Sequence, residues 1–316
     1  MINTNEIELS VVCTIYRSAL IVPELVRQVE LACGNCASSF EVILVDDSSP
    51  DLSWAAIVEA CRCSQNIRGI KLGRNFGQQV AVAAGLQQAS GKYSIVMDGD
   101  LQNPPEAIVD ILAKLKEGND IVYTTSLNRN SVIDGLTSWT FWWIMNKIFK
   151  VNVIPNQLMM RGMSKRFLDI FNCYNEHIRN VVGITHDIGL KHAVIKVANN
   201  KRHSGQSNYN FFKRFDVMLD VVLLMTNRPL TYVIYAAAIT FTSSVVLGMM
   251  TLINYLKYPE MPAGYTTQIF LISIFGSSTL VVLGIIGRYL ANIYTEVRAR
   301  PLFNVEQAIN LCVDQK

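Results

Sequence analysis

Several common signatures of enzymatic activity are missing from this 316-residue chain. It has no G-x-x-x-x-G-K-[ST] string, which argues against a P-loop nucleotide site, and no G-x-S-x-G string, which marks one class of serine nucleophile. Its four histidines, His177, His186, His192 and His203, lack metal-ligand spacing. The formal net charge of +3 is too small to indicate a nucleic acid partner.

Charged residues are also missing from two long stretches near the carboxyl terminus, Pro229–Leu256 and Met261–Gly287. Each exceeds the roughly 20 apolar residues that cross a bilayer. A buried hairpin of a soluble domain is the alternative, but two adjacent uncharged helices are difficult to bury in a domain of this size. We therefore predict transmembrane helices over residues 229–256 and 267–290, joined by an extracytoplasmic turn over 257–266 and followed by a cytoplasmic tail over 291–316.

The basic residues beside these spans predict their orientation. They are Lys213, Arg214 and Arg228 before the first span and Arg288, Arg298 and Arg300 after the second. The opening residues, MINTNEIELS, have neither the basic nor the apolar region of a signal peptide. We expect a multi-pass membrane protein, with the domain before the spans and both termini in the cytoplasm.

The seven cysteines show no disulfide pattern, as expected in a reducing compartment. Cys33 with Cys36 and Cys61 with Cys63 form two close pairs, which could together bind zinc if they met in space. Their apolar neighbours favour the other interpretation, that they are ordinary half-buried side chains.

The first half of the chain alternates short β-branched runs with helical patterns, which predicts a mostly parallel α/β sheet. We assign residues 1–209 to this domain. The predicted strands are Leu9–Ile15, Glu41–Val45, Gly69–Leu72, Tyr93–Met97 and Ile121–Tyr123. The predicted helices are Pro23–Ala32, Leu52–Arg62, Gln78–Ala89 and Pro105–Glu117.

Two further segments have the composition of helices that lie at a membrane surface. Residues 136–150 are rich in tryptophan and phenylalanine and end in lysines, while residues 210–228 combine apolar residues at helical spacing with basic ones. Either segment could instead be a core helix. We expect the second to be an amphipathic juxtamembrane helix.

The most informative motif is MDGDLQNPPE, in which Asp98 and Asp100 follow an apolar strand. Two carboxylates this close disfavour double ionisation unless a cation lies between them. Mg²⁺ typically binds one or two carboxylates together with substrate phosphates. The pattern therefore predicts a site at Asp98, Asp100 and Gln102 for a divalent metal that holds a diphosphate, although an isolated D-x-D is often only a solvated turn.

A second acidic cluster, VDDSSPD, follows an earlier strand. Because ligands bind at the carboxyl ends of parallel strands, Asp46 could accept a hydrogen bond from a nucleobase or a ribose. Asp47 and Asp51 could equally cap the following turn and helix. In the next motif, GRNFGQQVAVAAG, Arg74 could face a phosphate, or the segment could be only a tight turn.

These motifs occur in order with GIIGRYLANIYTEVRARPLF near the carboxyl terminus. Together they resemble the polyprenyl-phosphate glycosyltransferases: bactoprenol glucosyltransferases, undecaprenyl-phosphate aminoarabinose transferases and, more distantly, dolichol-phosphate mannose synthase. The resemblance covers nearly the whole chain. It implies a family-2 domain with the GT-A-type, Rossmann-like fold, carrying two transmembrane helices.

By position, the resemblance implies that Asp46 binds the nucleoside and that Asp98, Asp100 and Gln102 bind metal and diphosphate. Arg129 matches a basic residue after the fifth strand, and Arg161 matches the arginine of a loop that closes over sugar and acceptor. The segment RHSGQSNY matches a family segment that leads to the interface helix. The lipid-phosphate contacts implied there are Lys201, Arg202, Ser207 and Tyr209.

The chain departs from the family pattern at three places. Ser18 replaces a nucleotide-contacting glutamate, Asn208 replaces a lysine, and Leu158, Met159 and Met160 replace a G-D-F string that supplies a candidate acidic base. A lipid phosphate is mostly dianionic at neutral pH and needs no strong base, so these changes leave transfer possible but leave the sugar open.

The resemblance therefore implies inverting transfer of a hexose, glucose being favoured, from a UDP-sugar to undecaprenyl phosphate, with Mg²⁺ or Mn²⁺ as cofactor. The product would serve a cell-envelope pathway such as lipopolysaccharide O-antigen modification. Partners implied are a homo-oligomer (a tetramer in relatives), a downstream flippase and a second glycosyltransferase. GDP-mannose, UDP-N-acetylhexosamine or UDP-aminoarabinose as donor stays open, as does a catalytically weak scaffold that only binds nucleotide sugar.

Overall fold

The computed structural model of the protein describes residues 7–127, 157–174, 188–198, 228–257, 264–298 and 300–310, together with Lys147, Ile154 and Ile184. The helices predicted over 136–150 and 210–228 lie outside these residues, apart from Lys147 and Arg228.

Residues 9–126 form the predicted alternation of strands and helices. The β-branched runs become strands buried along their length, and the helices carry one apolar face each. The strands are β1 (Leu9–Ile15), β2 (Phe40–Asp46), β3 (Ile67–Leu72), β4 (Tyr93–Asp98) and β5 (Ile121–Ser126). The helices are α1 (Val22–Gly34), α2 (Ser53–Cys63), α3 (Gln78–Gln87) and α4 (Ala107–Lys116).

Four later elements were not predicted. They are β6 (Gln157–Ser164), α5 (Lys165–Cys173), β7 (His192–Val197) and β8 (Val305–Ile309). The last of these strands lies in the segment that the sequence suggested only as a tail.

All eight strands belong to one sheet, in the order β7-β5-β6-β4-β1-β2-β3-β8. The pairs β1–β2, β1–β4, β2–β3 and β5–β7 are parallel, while β6 and β8 run antiparallel to their neighbours. The predicted mostly parallel α/β sheet is confirmed. Its connections place the ends of β1, β2 and β4 next to each other, where a ligand site is expected.

Apolar residues pack on both faces of the sheet because successive side chains of a strand point to opposite faces. In β1, Val11 and Cys13 pack on the face that α1, α2 and α4 cover, whereas Val12 packs on the face of α3 and α5. A sheet with two buried faces holds its strand ends in fixed positions, which a precise site requires.

Two long helices follow, α6 (Arg228–Lys257) and α7 (Tyr265–Val297), and they form a unit separate from the sheet. They cover the two predicted spans, and α7 continues beyond residue 290. Within the described part of the chain, one segment, Ile274–Val297, is apolar and long enough to cross a bilayer, and none of it is buried. After α7 the chain returns to the unit that contains the sheet, where β8 pairs with β3.

Candidate active site

A cavity of about 350 Å³ opens at the carboxyl ends of β1, β2 and β4, beside the start of α3. Its lining residues come from all four elements or the loops that follow them. They are Thr14, Ile15, Tyr16, Ser18, Asp47, Asn75, Gly77, Gln78, Ala81, Asp98, Gly99, Asp100 and Gln102. The structure therefore brings together the predicted residues Asp98, Asp100 and Gln102.

Both aspartates of the D-x-D motif accept hydrogen bonds in the structure. Asp98, the last residue of β4, accepts from the side-chain amide of Gln78 at the start of α3. Asp100 Oδ1 accepts from the backbone N–H of Gln102 at 3.1 Å. Both aspartates are half-buried and line the cavity.

Gly99 explains how the turn between these aspartates reaches its position. Its N–H donates to the carbonyl oxygen of Thr14 in β1 at 3.0 Å. A Cβ at this position would lie 2.7 Å from that oxygen and 2.4 Å from the Ile15 side chain. The glycine therefore allows a close approach of this turn to the backbone of β1.

Backbone strain is concentrated at this edge of the sheet. Arg17, Ser48 and Leu101 have φ angles of 53°, 52° and 57°, and they follow β1, β2 and β4 respectively. Non-glycine residues adopt this left-handed conformation at a cost of about 1–2 kcal/mol each. Strained residues of this kind cluster at functional sites, where the surrounding structure holds them.

Asp46 and Asp47 have different surroundings. Asp46 is fully buried, accepts from the backbone N–H of Ser49 at 3.2 Å and does not line the cavity. Asp47 lines the cavity and accepts from the backbone N–H groups of Phe76 and Gly77 at 2.7 and 2.8 Å. Burial raises the pKa of both carboxyls, against these hydrogen bonds, which lower it.

Asp47 and Asp51, the two candidates for capping α2, have different partners. Asp51 accepts from the backbone N–H and the hydroxyl of Ser53, at 3.2 and 2.6 Å, and so binds the first turn of α2 as expected. Asp47 does not cap this helix, because its carboxylate holds the loop before α3 instead.

Arg74 is exposed, and its guanidinium lies 4.5 Å from the centre of the Phe76 ring. It is not among the residues that line the cavity. Its neighbour Asn75 is, so the predicted segment does contribute to the site, through a different residue.

Arg161 lies in β6, so the loop expected around it is in fact a strand. Only 1% of the residue is exposed, and its Nε donates to the carbonyl oxygen of Met159 at 3.1 Å. Burial lowers the pKa of Arg161 to about 10, although nearby Tyr123 and Asp98 favour its charged form. Arg161 therefore acts on Asp98 as a buried neighbouring charge and does not line the cavity.

The other predicted basic and polar contacts, Arg129, Lys201, Arg202, Ser207 and Tyr209, lie outside the described residues. Gln78 was missed by sequence reasoning. Its place directly after Gly77 at the start of a helix was the available signal, because the first residues of a helix after a strand often face the ligand.

The cysteines at positions 33, 36, 61 and 63 are free thiols, in agreement with the favoured interpretation over the alternative of a zinc site. The described residues contain no group of three or more histidine, cysteine or acidic residues that could hold a metal ion. Burial also raises the pKa of Cys33 to about 12 and that of Cys61 to about 11, which disfavours the thiolates that bind zinc.

The charged residues that line the cavity indicate which kind of ligand would balance them. Asp47, Asp98 and Asp100 line it, and none of the described lining residues is lysine, arginine or histidine. The side-chain nitrogen of Gln102 is buried there without a hydrogen-bond partner. The carboxylates of Asp98 and Asp100 are too few for a complete metal site. They suit a divalent cation that takes its remaining ligands from a phosphate group.

The mostly parallel α/β sheet with an acidic site at the carboxyl ends of its strands is of the GT-A type. Residues 10–169, half of the chain, match the family described as glycosyl transferase family 2. The chain therefore belongs to this family and is a glycosyltransferase.

Individual relatives agree with this assignment. An uncharacterized glycosyltransferase of Synechocystis sp. is 28% identical over 95% of both chains. Glucosyl-3-phosphoglycerate synthase from Mycobacterium tuberculosis, solved with Mn²⁺, UDP and phosphoglyceric acid, has 13% identity, covering 70% of this chain and 78% of its own, with a TM-score of 0.53. Mannosyl-3-phosphoglycerate synthase from Rubrobacter xylanophilus has 12% identity, covering 69% and 73%, with a TM-score of 0.50. The two solved structures share the fold.

Proposed function

We propose that the protein transfers a hexose, with glucose favoured, from a UDP-sugar to undecaprenyl phosphate at the cytoplasmic face of a membrane, with inversion at the anomeric carbon. The acidic cavity at the ends of β1 and β4 is the observation that carries the proposal. A nucleoside diphosphate is repelled by three carboxylates unless a divalent cation accompanies it. A family-2 glycosyltransferase with such a site is suited to a metal-bound nucleotide sugar.

Asp98, Asp100 and Gln102 would hold the metal, Mg²⁺ or Mn²⁺, which when bound neutralises the charge that develops on the departing diphosphate. The cavity of about 350 Å³ is at the lower end of the volume range of small-molecule sites. Asp46 at the end of β2 remains the proposed nucleoside contact, and its burial means that it would act from beneath the cavity.

Arg161 supports the same chemistry from within the sheet. Its buried guanidinium is a fixed positive charge near Asp98, and a preorganised charge in a low-dielectric region stabilises developing negative charge without reorganisation. Arg74 lies at the exposed start of the loop before α3, and Arg129 follows β5 in the sequence. We propose that these two bind phosphate groups when the substrates are present.

The acceptor proposal depends on the second unit. Ile274–Val297 is apolar and exposed, as a membrane anchor would be. Because β8 returns to the sheet, the chain between β7 and β8 must cross any membrane an even number of times. The helix α6, with no charged residue from Pro229 to Leu256, is the natural second crossing.

An anchor of this kind suits an acceptor that is itself in the membrane. We propose that Lys201, Arg202, Ser207 and Tyr209 bind the phosphate of the polyprenyl chain, since they precede the segment that leads to α6. The cationic members would reduce the repulsion between this phosphate and the diphosphate of the donor.

In the reaction, one oxygen of the lipid phosphate attacks the anomeric carbon opposite the leaving group. The new bond from carbon to phosphate oxygen forms as the bond to the β-phosphate oxygen of the donor breaks, and UDP departs with that electron pair. The lipid phosphate is already mostly dianionic at neutral pH, so no proton has to be removed. The absence of an acid at Met159 is compatible with this reaction.

The test is transfer of labelled sugar to undecaprenyl phosphate by the full-length protein in detergent or vesicles. UDP-glucose, GDP-mannose, UDP-N-acetylglucosamine and UDP-aminoarabinose are compared as donors, each with and without Mn²⁺ or Mg²⁺. We expect a labelled lipid with UDP-glucose that requires both metal and lipid phosphate. Nucleotide release that does not depend on the lipid, or no turnover with any donor, would contradict the proposal.

A further inference from the structure

The residues after α7 form β8, the outermost strand of the sheet, which pairs with β3 near the candidate active site. In the antiparallel pair of β8 with β3, Val305 lies opposite Leu72. The pairing continues beyond both strands, because the backbone N–H of Gly73 donates to the carbonyl oxygen of Asn304 at 3.0 Å. Gly73 is the first residue of the loop that leads to α3. We name residues 73–77 the donor loop and residues 304–310 the return segment.

The donor loop reaches the cavity and is held at its other end too. Asn75 and Gly77 line the cavity. The carboxylate of Asp47 accepts from the N–H groups of Phe76 and Gly77 at 2.7 and 2.8 Å. The loop is thus fixed between Asp47 on one side and the return segment on the other.

The contact between Gly73 and Asn304 leaves no space. A Cβ on Gly73 would lie 2.4 Å from Nδ2 and 2.9 Å from Cγ of Asn304. The φ angle of Gly73 is not in the positive region, so its backbone suits alanine as well. The side chain of Asn304 is therefore what an alanine at position 73 would displace.

Side chains anchor the return segment at several points beyond the backbone pairing. Gln307 Oε1 accepts from Trp54 Nε1 at 2.8 Å. The side-chain nitrogen of Asn310 donates to the carbonyl oxygens of Cys61 and Ile67 at 3.0 and 2.9 Å. The segment is therefore held against α2 and β3 over its whole length.

An ion pair adds to this anchorage, because Lys71 Nζ lies 3.1 Å from Glu306 Oε1. Lys71 also lies opposite Asp46 in the pairing of β2 with β3. The ion pair therefore joins the return segment to a residue beside the proposed nucleoside contact.

We propose that the return segment is a positioning element of the donor site, and that it holds the donor loop through the hydrogen bond from the backbone N–H of Gly73 to the backbone carbonyl oxygen of Asn304. The inference rests on the proposed function, in which the cavity binds a nucleoside diphosphate together with its metal. Small displacements of groups that orient a substrate cost up to about a hundredfold in rate. The chain that follows the last long helix then contributes to donor binding without contacting the donor.

The test uses a cycle of full-length variants: Gly73→Ala, Asn304→Ala and the double variant. Asn304→Ala keeps the backbone carbonyl and removes the side chain that Gly73→Ala would meet. The double variant therefore restores the fit that the single Gly73→Ala variant loses. Gly34→Ala is the matched control, because nothing lies within 4 Å of a Cβ on Gly34 at the end of α1.

The first measurement, hydrogen exchange at the amides of Phe76 and Gly77, requires no ligand. We expect Gly73→Ala to speed exchange there about tenfold, corresponding to a loss of about 1.4 kcal/mol in local stability. Asn304→Ala, the double variant and Gly34→Ala should remain within about twofold of the unmodified protein by the same scale.

The second measurement is binding of UDP with Mn²⁺ by calorimetry, together with the KM for the UDP-sugar. Gly73→Ala should weaken UDP binding and raise that KM about tenfold, while kcat and the KM for lipid phosphate change less than about twofold. A general loss of folded protein would lower the measured activity without raising the KM for the UDP-sugar. Recovery of UDP affinity in the double variant is required.

Three results would overturn the proposal: unchanged exchange in Gly73→Ala, faster exchange with unchanged UDP affinity, or no recovery in the double variant. If Gly73→Ala does not fold, Gln307→Ala replaces it, since it removes the acceptor of Trp54 at an exposed position. It must then speed exchange of the same two amides. If the unmodified protein does not bind UDP, the proposed donor is wrong, and the exchange results alone decide whether the return segment positions the loop.

Discussion

The sheet has an amino edge, where its parallel strands begin, and a carboxyl edge, where they end. Buried acidic residues lie at both edges, but their surroundings differ. At the amino edge, the Glu41 carboxylate accepts from the hydroxyl groups of Ser10 and Ser90 at 2.5 and 2.8 Å. It also accepts from the backbone N–H of Ser90 at 2.8 Å, and its second oxygen lies 2.6 Å from Arg68 Nη1. This one carboxylate joins β1, β2, β3 and the loop between α3 and β4.

The amino edge carries a second acid of the same kind. Glu8 accepts from the backbone N–H and the hydroxyl of Ser38, both at 2.7 Å, and pairs with Lys116 at 2.7 Å. The hydrogen bond from Lys116, those from Ser38 and the charge of Lys116 lower the pKa of Glu8 to about 2. Glu8 is therefore stabilised as an anion within the fold itself.

At the carboxyl edge, the acids gather around a cavity with no basic residue among its described lining. The backbone there is strained at Arg17, Ser48 and Leu101, and Gln102 has a buried nitrogen without a partner. One edge is therefore arranged for stability and the other for a ligand that supplies positive charge. Substitutions should separate the two: carboxyl-edge changes should affect transfer, and amino-edge changes should affect stability.

The largest effect is expected for Asp100→Asn. Removing one proposed metal ligand should lower transfer by about 10³-fold or more, because the charge on the departing diphosphate is no longer neutralised. Labelled-lipid formation measures this, with circular dichroism to confirm the fold. Asp110→Asn, on the exposed face of α4, is the matched control and should retain full activity. Near-normal turnover in Asp100→Asn would remove the metal assignment.

Glu41→Ala, in contrast, should lower the stability of the protein and leave transfer nearly unchanged. It leaves Arg68, whose side chain is 25% exposed, and two serines without their partner, so we expect a loss of about 2–3 kcal/mol in the free energy of unfolding. Hydrogen exchange of the β1 amides is the measurement. Transfer per folded molecule should stay within about twofold of the unmodified protein. A large fall in kcat for the folded fraction would mean that the two edges are not independent.

Glu8→Gln should have a smaller effect that depends on pH. The folded pKa of Glu8 is about 2 and its ordinary value is 4.5, so its contribution is fully present above pH 4.5 and is lost as the pH falls towards 2. We expect the variant to be about 1 kcal/mol less stable at pH 7, the scale of a partly exposed ion pair with hydrogen bonds. Exchange rates compared at several pH values should converge in acid. A constant difference down to pH 2 would show that the charge of Glu8 is not the cause.

The smallest effect is expected for Ser48→Gly, which relieves a φ angle of 52° after β2. Relief of left-handed strain exceeds the entropic cost of glycine by about 0.5 kcal/mol, so the variant should be slightly more stable. Ser48→Ala keeps the strain and serves as the control, with no gain expected. Equal stability of the two variants, measured by urea unfolding, would mean that this strain is negligible.

The elements predicted correctly from the sequence depend on local patterns. The strand β1 has the predicted bounds, Leu9–Ile15, because both faces of a central strand are buried and the apolar run begins and ends with the strand. Asp98, Asp100 and Gln102 meet at one cavity because they are close in the chain and follow such a strand.

The elements that were missed depend on distant partners. The strand β6 contains Gln157, Arg161 and Gly162, and its burial follows from antiparallel pairing with β4 and β5. The contact of Asp47 with the donor loop joins residues about 30 positions apart, where the sequence suggested local capping. Neither relation has a periodic signal, since each is decided by how the chain packs.

The position of β8 also has a consequence for how the protein is made. Its contact between Glu306 and Lys71 joins residues 235 positions apart, with both long helices between them. A ribosome makes the chain from its amino terminus at about 5–20 residues per second, so the edge of β3 has no partner while α6 and α7 are being synthesised. An unpaired strand edge is a site for wrong association. Completion of the sheet therefore follows synthesis of both helices, and the α/β domain acquires its last strand only in a chain that already contains α6 and α7.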